Sequence, residues 1–184
     1  VLAITQDLVA PSDIQFARIA VRGEFLPKHT VYLDNRILRG VPGYHVVTPL
    51  RIIGGDMCIL VNRGWIPLGR SRTDLPTVAV PAGEVSLAGI ATVPPTQVYE
   101  LATEKDPGQV VQHLNLPAMA SRTALRLQPI VMQQTGDAAD GLVREWPRPD
   151  AGADTNRAYA LQWYALGLLI AILYISLNIR RRSE

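Results

Sequence analysis

Residues 44–67 read YHVVTPLRIIGGDMCILVNRGWIP. Two apolar, β-branched runs, Tyr44–Ile52 and Met57–Arg63, flank the segment Ile53-Gly54-Gly55-Asp56. Runs of this length joined through Gly-Gly predict a β-hairpin, because a tight turn needs positive φ and glycine adopts it without a Cβ clash. Working outward, the same pattern recurs at Phe16–Val21, Thr30–Leu33, Val85–Ala91, Val110–Leu114, Pro129–Met132 and Leu142–Glu145, each bounded by Gly, Pro or polar residues. The spacing predicts a mainly β domain, an antiparallel sandwich or barrel. One short soluble helix is expected near Leu116–Leu125, with Asn115 as N-cap and Pro117 in its first turn. There is no βαβ alternation, no GxGxxG, no GxxxxGK[ST] and no internal repeat. Dinucleotide and nucleoside-triphosphate chemistry is therefore not expected.

A second stretch decides where such a domain sits. Residues 158–177, AYALQWYALGLLIAILYISL, carry no charge. As a helix rising ~1.5 Å per residue they span roughly 30 Å, the hydrocarbon thickness of a bilayer. Tyr159, Trp163 and Tyr164 at one end and Tyr174 near the other fit an interfacial aromatic belt. Arg180-Arg181-Arg182 follow directly, whereas the preceding flank holds Asp150, Asp154 and only Arg157. The positive-inside rule then puts the C-terminus in the cytoplasm and the β domain across the membrane. The stretch before the helix, WPRPDAGADTNR (146–157), is rich in Pro, Gly and Asp and disfavours regular structure. The expected organisation is an extracytoplasmic β domain over 1–149, a linker over 150–157, a transmembrane helix over 158–178 and a basic tail over 179–184. The opening VLAITQDLVAPSD begins on Val1 and is too short and polar to span. A further transmembrane helix serving as export signal is therefore expected ahead of it.

Composition removes several classes of function. The 184 residues carry 18 Lys+Arg against 16 Asp+Glu, a net charge of +2. Leaving out Arg180, Arg181, Arg182 and Glu184 makes the rest neutral, so no basic face is available for phosphates and nucleic acid is not expected as a partner. One cysteine, Cys58, and three scattered histidines exclude a disulfide framework, a CxxC site and a His-rich metal tract. With 48% apolar and 18% charged residues the chain is not of disordered composition.

No catalytic set emerges and no enzymatic activity is expected. Cys58, inside Met57–Val61, reads as a packed thiol, and Glu100, Glu104 and Asp106 read as a solvated loop. His29 falls in a turn, His45 on a strand and His113 just before the short helix. Structural imidazoles account for all three, with ligation by His45 or His113 left open. Two motifs carry more information. Asn35-Arg36 is followed by Gly40, Gly43 and Tyr44, and Asn62-Arg63 by Gly64, Trp65 and Pro67. An arginine at a strand end can fork onto carbonyls or a carboxylate, and an asparagine can close a turn through its own backbone. Paired turns that lock the barrel and a ligand or partner site both explain the pattern.

The segments VRGEF (21–25), YLDNRILRGVPGYHVVTPL (32–50), ILVNRGWIP (59–67), VSLAGIA (85–91), GLVREWPRP (141–149) and YALQWYALG (159–167) resemble the surfeit-locus protein-one family. The likeness runs in order from about residue 16 to 175, and NRGW-P and YA-QW are its most specific parts. It implies a membrane protein that assists assembly of haem-copper cytochrome c oxidase around subunit I as that subunit receives haem a. The lipid bilayer and oxidase assembly intermediates are then its partners. The Arg- and Ala-rich usage without a transit peptide favours a bacterial inner membrane with a periplasmic domain. On this reading the two Asn-Arg motifs and the C-terminal helix grip the maturing oxidase.

In many members of that family a haem-linked histidine lies three residues ahead of the YA-QW tyrosine; here that position is Asn156. An amide is a poor iron ligand, so ligation by Asn156 is not expected, and haem a would be at most a transient cofactor. Tyr159, Gln162 and Trp163, on the first turns of the helix, are the candidate haem-proximal residues, and Tyr159, Trp163 and Leu166 form one stripe. A permanent accessory subunit of the oxidase and a haem a carrier with another ligand are the alternatives.

Overall fold

The computed structural model describes residues 1–69, 75–94, 108–146 and 153–181, with side chains of the last segment described over 159–178. The chain divides into two units, Val1–Glu145 and Trp146–Glu184. The first holds strands β1 (Leu2–Ala3), β2 (Arg18–Phe25), β3 (Val31–Leu38), β4 (Val41–Ile52), β5 (Met57–Pro67), β6 (Glu84–Thr92), β7 (Val110–Val111) and β8 (Arg126–Gln134). Two short helices, α1 (Pro11–Ile14) and α2 (Leu116–Thr123), lie between strands. The second unit is one long helix, α3 (Ala153–Arg181).

The sheet closes on itself. β2 pairs with β6, β6 with β8, β8 with β5, β5 with β4, and β4 returns to β2 through Gly23–Ile52, Glu24–Arg51 and Phe25–Leu50. Counting the barrel strands in chain order, the ring runs 1-2-3-5-4-1 with the third and fifth parallel, a Greek-key arrangement of the OB type. The barrel interior is filled from every strand of the ring, with Ile19, Val21, Leu50, Ile52, Ile59, Val61, Ala91, Ile130 and Met132 all buried. Alternation along β5 sends Ile59 and Val61 inward and Leu60 outward against Met119 of α2, so both faces of this strand are dry.

A mainly β domain with one C-terminal apolar helix is what the sequence predicts. The pairing is mixed, however: β5 and β8 run parallel, as do β1 with β2 and β3 with β7. The long connection from Thr92 to Arg126 carries α2 across the barrel and brings β8 in alongside β5 in the same direction. The Gly-Gly hairpin forms, but only Gly54 takes positive φ, at 91°. Gly55 is small for another reason: a Cβ there would lie 2.6 Å from Cδ of Gln6, whose amide bonds Ile52 O and Met57 N. The α2 N-cap is as expected, Asn115 Oδ1 accepting from Ala118 N at 3.0 Å, and the helix stops at Thr123 because Ala124 turns left-handed, φ 56°. Leu142–Glu145 is not a strand; Val143 alone bridges to Trp65. Glu100, Glu104, Asp106 and Arg182 lie outside the described residues.

Helix α3 starts at Ala153, so residues 153–157, expected in the linker, are helical. No proline follows Pro149, so nothing in the sequence interrupts the helix there. Within α3, Tyr159–Asn178 is 20 residues long and apolar enough to cross a membrane, with its side chains exposed.

Candidate functional site

The two Asn-Arg motifs are two β-bulges on either side of β4. On the β3 side, Leu33 faces His45 and Arg36 faces Gly43, so Asp34 and Asn35 together oppose Tyr44. Asn35 takes the left-handed conformation at φ 58°, which asparagine tolerates better than most side chains. On the β5 side, Asn62 faces Val47 and Gly64 faces Val46, leaving Arg63 as the extra residue. A bulge re-aims side chains and bends the strand. Here it buries four consecutive residues, Asn62, Arg63, Gly64 and Trp65.

Arg63 turns to the barrel side, its guanidinium 5.2 Å over the Phe25 ring at the end of the core. Its Nη2 donates to Ala79 O at 2.6 Å and to Asp140 Oδ2 at 3.1 Å. Arg144 Nη2 donates to the same oxygen at 2.5 Å, and Leu142 N–H donates to Asp140 Oδ1 at 3.2 Å. The side chains of Arg63, Asp140 and Arg144 are 1%, 8% and 8% exposed. Two cations thus share one carboxylate in a dry setting, and Nε and Nη1 of Arg63 and Nε of Arg144 find no acceptor among the described residues. Burial pushes the Arg63 pKa down and Asp140 pushes it back up. Burial also pushes the Asp140 carboxyl up, but the N–H groups of Arg144 and Leu142 and the two positive charges outweigh it and hold the pKa below its ordinary value. Beside this plug, Tyr32 donates its hydroxyl to Pro76 O at 2.8 Å and meets Tyr44 edge-to-face at 5.8 Å. Arg63 and Tyr32 together fasten the loops 75–80 and 140–144 onto the barrel end.

The other face of the bulge carries Trp65. Gly43, on β4, leaves the space this ring fills, since a Cβ there would lie 2.5 Å from Trp65 Cε2. Reaching across it, Trp65 Nε1 donates to Arg36 O on β3 at 2.8 Å. One indole therefore ties three strands. Gly64 completes the arrangement at φ 143°, where a Cβ would sit 2.9 Å from Val143 O, and Trp65 exchanges backbone bonds with Val143 at 2.7 and 2.9 Å. His45 Nδ1 pairs with Asn62 Nδ2 at 3.2 Å. Burial, with Arg36 nearby, lowers the His45 pKa to about 4, so the imidazole is neutral at pH 7.

The motif residues therefore gather at one end of the domain, but they separate by exposure. Gly43, Tyr44, Asn62, Arg63, Gly64 and Trp65 are buried, Arg36 is half-buried with Nη2 on Gln112 O, and Asn35, Gly40 and Pro67 are exposed. On α3, Tyr159 and Trp163 are exposed, as is Gln162. Asn156 lies on the helix backbone, and its side chain is outside the described residues. Sequence reasoning missed Asp140 as the partner of Arg63, and Arg144 as the second cation on that carboxylate. A buried arginine demands a carboxylate, but nothing in the sequence selects one of 16 acidic residues.

Among the described residues no group of three His, Cys, Asp or Glu gathers. His45 Nδ1 is engaged by Asn62, and His113 is exposed. A cleft of about 200 Å³ near His29, also lined by Lys28, Thr30 and Arg122, is below the ~300–1,000 Å³ of small-molecule pockets.

Every segment named so far at the plug and the bulges also lies within one family's sequence model, which matches residues 2–168. The chain belongs to the SURF1 family. It is 27% identical over 187 residues to an uncharacterised SURF1-like protein of Mycobacterium tuberculosis, covering 97% of this chain and 67% of that protein. A SURF1-like protein of Rickettsia felis is 25% identical, covering 88% and 73%, and one of Drosophila melanogaster is 24% identical, covering 98% and 65%. The SURF1 match extends from β1 into the membrane-length part of α3, so it takes in both the barrel and the helix.

Proposed function

We propose that this SURF1-family chain is a membrane-anchored, non-enzymatic assembly factor for haem-copper cytochrome c oxidase. It supports subunit I while haem a is inserted, with the barrel on the periplasmic side of a bacterial inner membrane and the C-terminus in the cytoplasm. The observation that carries this reading is family membership over residues 2–168, since SURF1 proteins are cytochrome oxidase assembly factors as a class. The apolar Tyr159–Asn178 stretch and the arginines that follow it support the anchoring and the orientation. The buried residues of the two Asn-Arg motifs support this reading only indirectly, by holding the barrel's strands and loops together.

The test is deletion of the gene in its bacterium, followed by complementation. Membranes are scored for the haem a band of the oxidase per amount of oxidase polypeptide. Loss on deletion and recovery with the intact chain are expected; an unchanged haem a content after deletion would sink the proposal. A transient factor co-purifies with oxidase lacking its metals, whereas constant stoichiometry with the mature enzyme would point to a permanent subunit.

A further inference from the structure

The cleft beside His29 runs between two connections of the barrel. One wall is Lys28, His29, Thr30 and Val31, in the connection from β2 to β4. The other is Gly108, Gln109 and the end of α2, in the connection from β6 to β8. In five-stranded OB barrels these two connections, first strand to second and fourth to fifth, are the ones that reach ligands. Position alone fixes no ligand; the side chains do. Four exposed arginines elsewhere on the barrel each hold a carboxylate: Arg22 with Glu84, Arg39 with Glu145, Arg51 with Glu24 and Arg126 with Asp56. At the cleft three basic side chains, Lys28, His29 and Arg122, line one space, and no described lining residue is acidic.

Arg122 stands in the last turn of α2, where its charge offsets the negative end of the helix. The hydroxyls are already bonded: Thr30 pairs with Thr48 at 3.1 Å, and Thr123 donates to Met119 O at 2.7 Å. That leaves the Lys28 ammonium, the His29 imidazole and the Gln109 amide, which have no hydrogen-bond or ion-pair partner among the described residues. Donors gathered around a positive charge suit a ligand that only accepts and carries negative charge. A volume of about 200 Å³ admits a small oxyanion and excludes a cofactor-sized molecule. We propose that this cleft binds a phosphate-class oxyanion, with Lys28 as its counter-charge and His29 and Gln109 as hydrogen-bond donors. One such group needs no basic face, so the neutral charge of the domain is no obstacle. Inorganic phosphate and the phosphate of a lipid headgroup present the same oxygens to these side chains.

The experiment uses the full chain with isotope-labelled histidine, which gives three imidazole signals to follow by nuclear magnetic resonance, those of His29, His45 and His113. In non-ionic detergent at pH 7, sodium phosphate replaces sodium chloride at constant ionic strength. A saturable shift of the His29 signal is expected, with the signal of His113, exposed and outside the cleft, unmoved. Lys28→Ala, at an exposed position the fold does not use, should raise the half-saturating phosphate concentration at least several-fold. A second arm places the protein in bilayer discs of phosphatidylcholine with and without phosphatidic acid. A His29 shift with phosphatidic acid and none with free phosphate supports the site and assigns its ligand to a headgroup; a shift with free phosphate alone supports it and assigns the ion. No shift in either arm overturns the proposal. So does a His29 signal that moves together with His113 and never saturates, or a half-saturation point that Lys28→Ala leaves unchanged.

Discussion

Replacing Asp140 with Asn puts a neutral amide of nearly the same shape where two guanidinium groups converge. The side chains of Arg63 and Arg144 are 1% and 8% exposed, so neither can turn to water without opening the loops 75–80 and 140–144. The variant loses two charge-assisted bonds, those at 3.1 and 2.5 Å, each worth about 1.5–3 kcal/mol. Removing one partner from a buried ion pair independently gives about 3–5 kcal/mol. For a domain of this size, whose total stability is about 5–15 kcal/mol, that is a fall in Tm of roughly 6–20 °C. Thermal unfolding of the full chain in detergent, followed by near-ultraviolet circular dichroism, measures it. Acid acts in the same way, because protonating Asp140 does what Asn does. With its folded pKa below the ordinary value, the carboxylate contributes its stability fully above the usual carboxylate range and loses it as pH falls through the lower folded value. Asp140→Asn therefore removes that part of the acid transition. A double-mutant cycle with Arg63→Met sharpens the test, since the two costs should fall short of additive by about 1–3 kcal/mol. A loss under 1 kcal/mol for Asp140→Asn, or strictly additive costs, would refute the buried plug.

His45 gives a second signature. Its folded pKa of about 4 lies below the ordinary 6.5, so the unfolded chain binds a proton that the fold refuses, and stability declines by roughly 2–3 kcal/mol as pH drops between those values. In His45→Gln, denaturant midpoints at pH 7 and pH 4 should lie closer together than in the parent; equal separations would count against the assignment. Gly43→Ala forces a methyl into the Trp65 ring and should cost at least about 1–3 kcal/mol, with a shifted tryptophan emission. Gly108→Ala, where a Cβ meets nothing within 4 Å, serves as its control.

The fold was legible where local chemistry decides it. The β4–β5 hairpin, the α2 cap at Asn115 and the apolar span of α3 each follow from residues within one turn of each other. What the sequence could not carry was pairing across distance. The parallel β5–β8 contact depends on the path of the Thr92–Arg126 connection, and β1, two residues long, has no periodicity to read. The site divides in the same way. Asn-Arg followed by glycine was recognisable as a repeated device, but its identity as two bulges needs the register on β4. Arg63 was visible as an arginine seeking a carboxylate, whereas Asp140, 77 positions away, became its partner only through folding.

The burial of the motif changes how its variants should be read. If Arg63, Gly43 or Trp65 served a partner directly, substitution would lower oxidase maturation per folded chain. In this structure they hold strands and loops together, so substitution lowers the amount of folded chain, and maturation per folded chain stays near normal. Ile37, exposed on β3, behaves in the opposite way: Ile37→Ser removes surface that packs on little within the domain and leaves Tm nearly unchanged. Dividing haem a in the membrane by folded chain therefore separates a folding defect from a lost partner contact. A buried-motif variant that keeps its Tm yet loses maturation would move the partner contact back onto the bulges themselves.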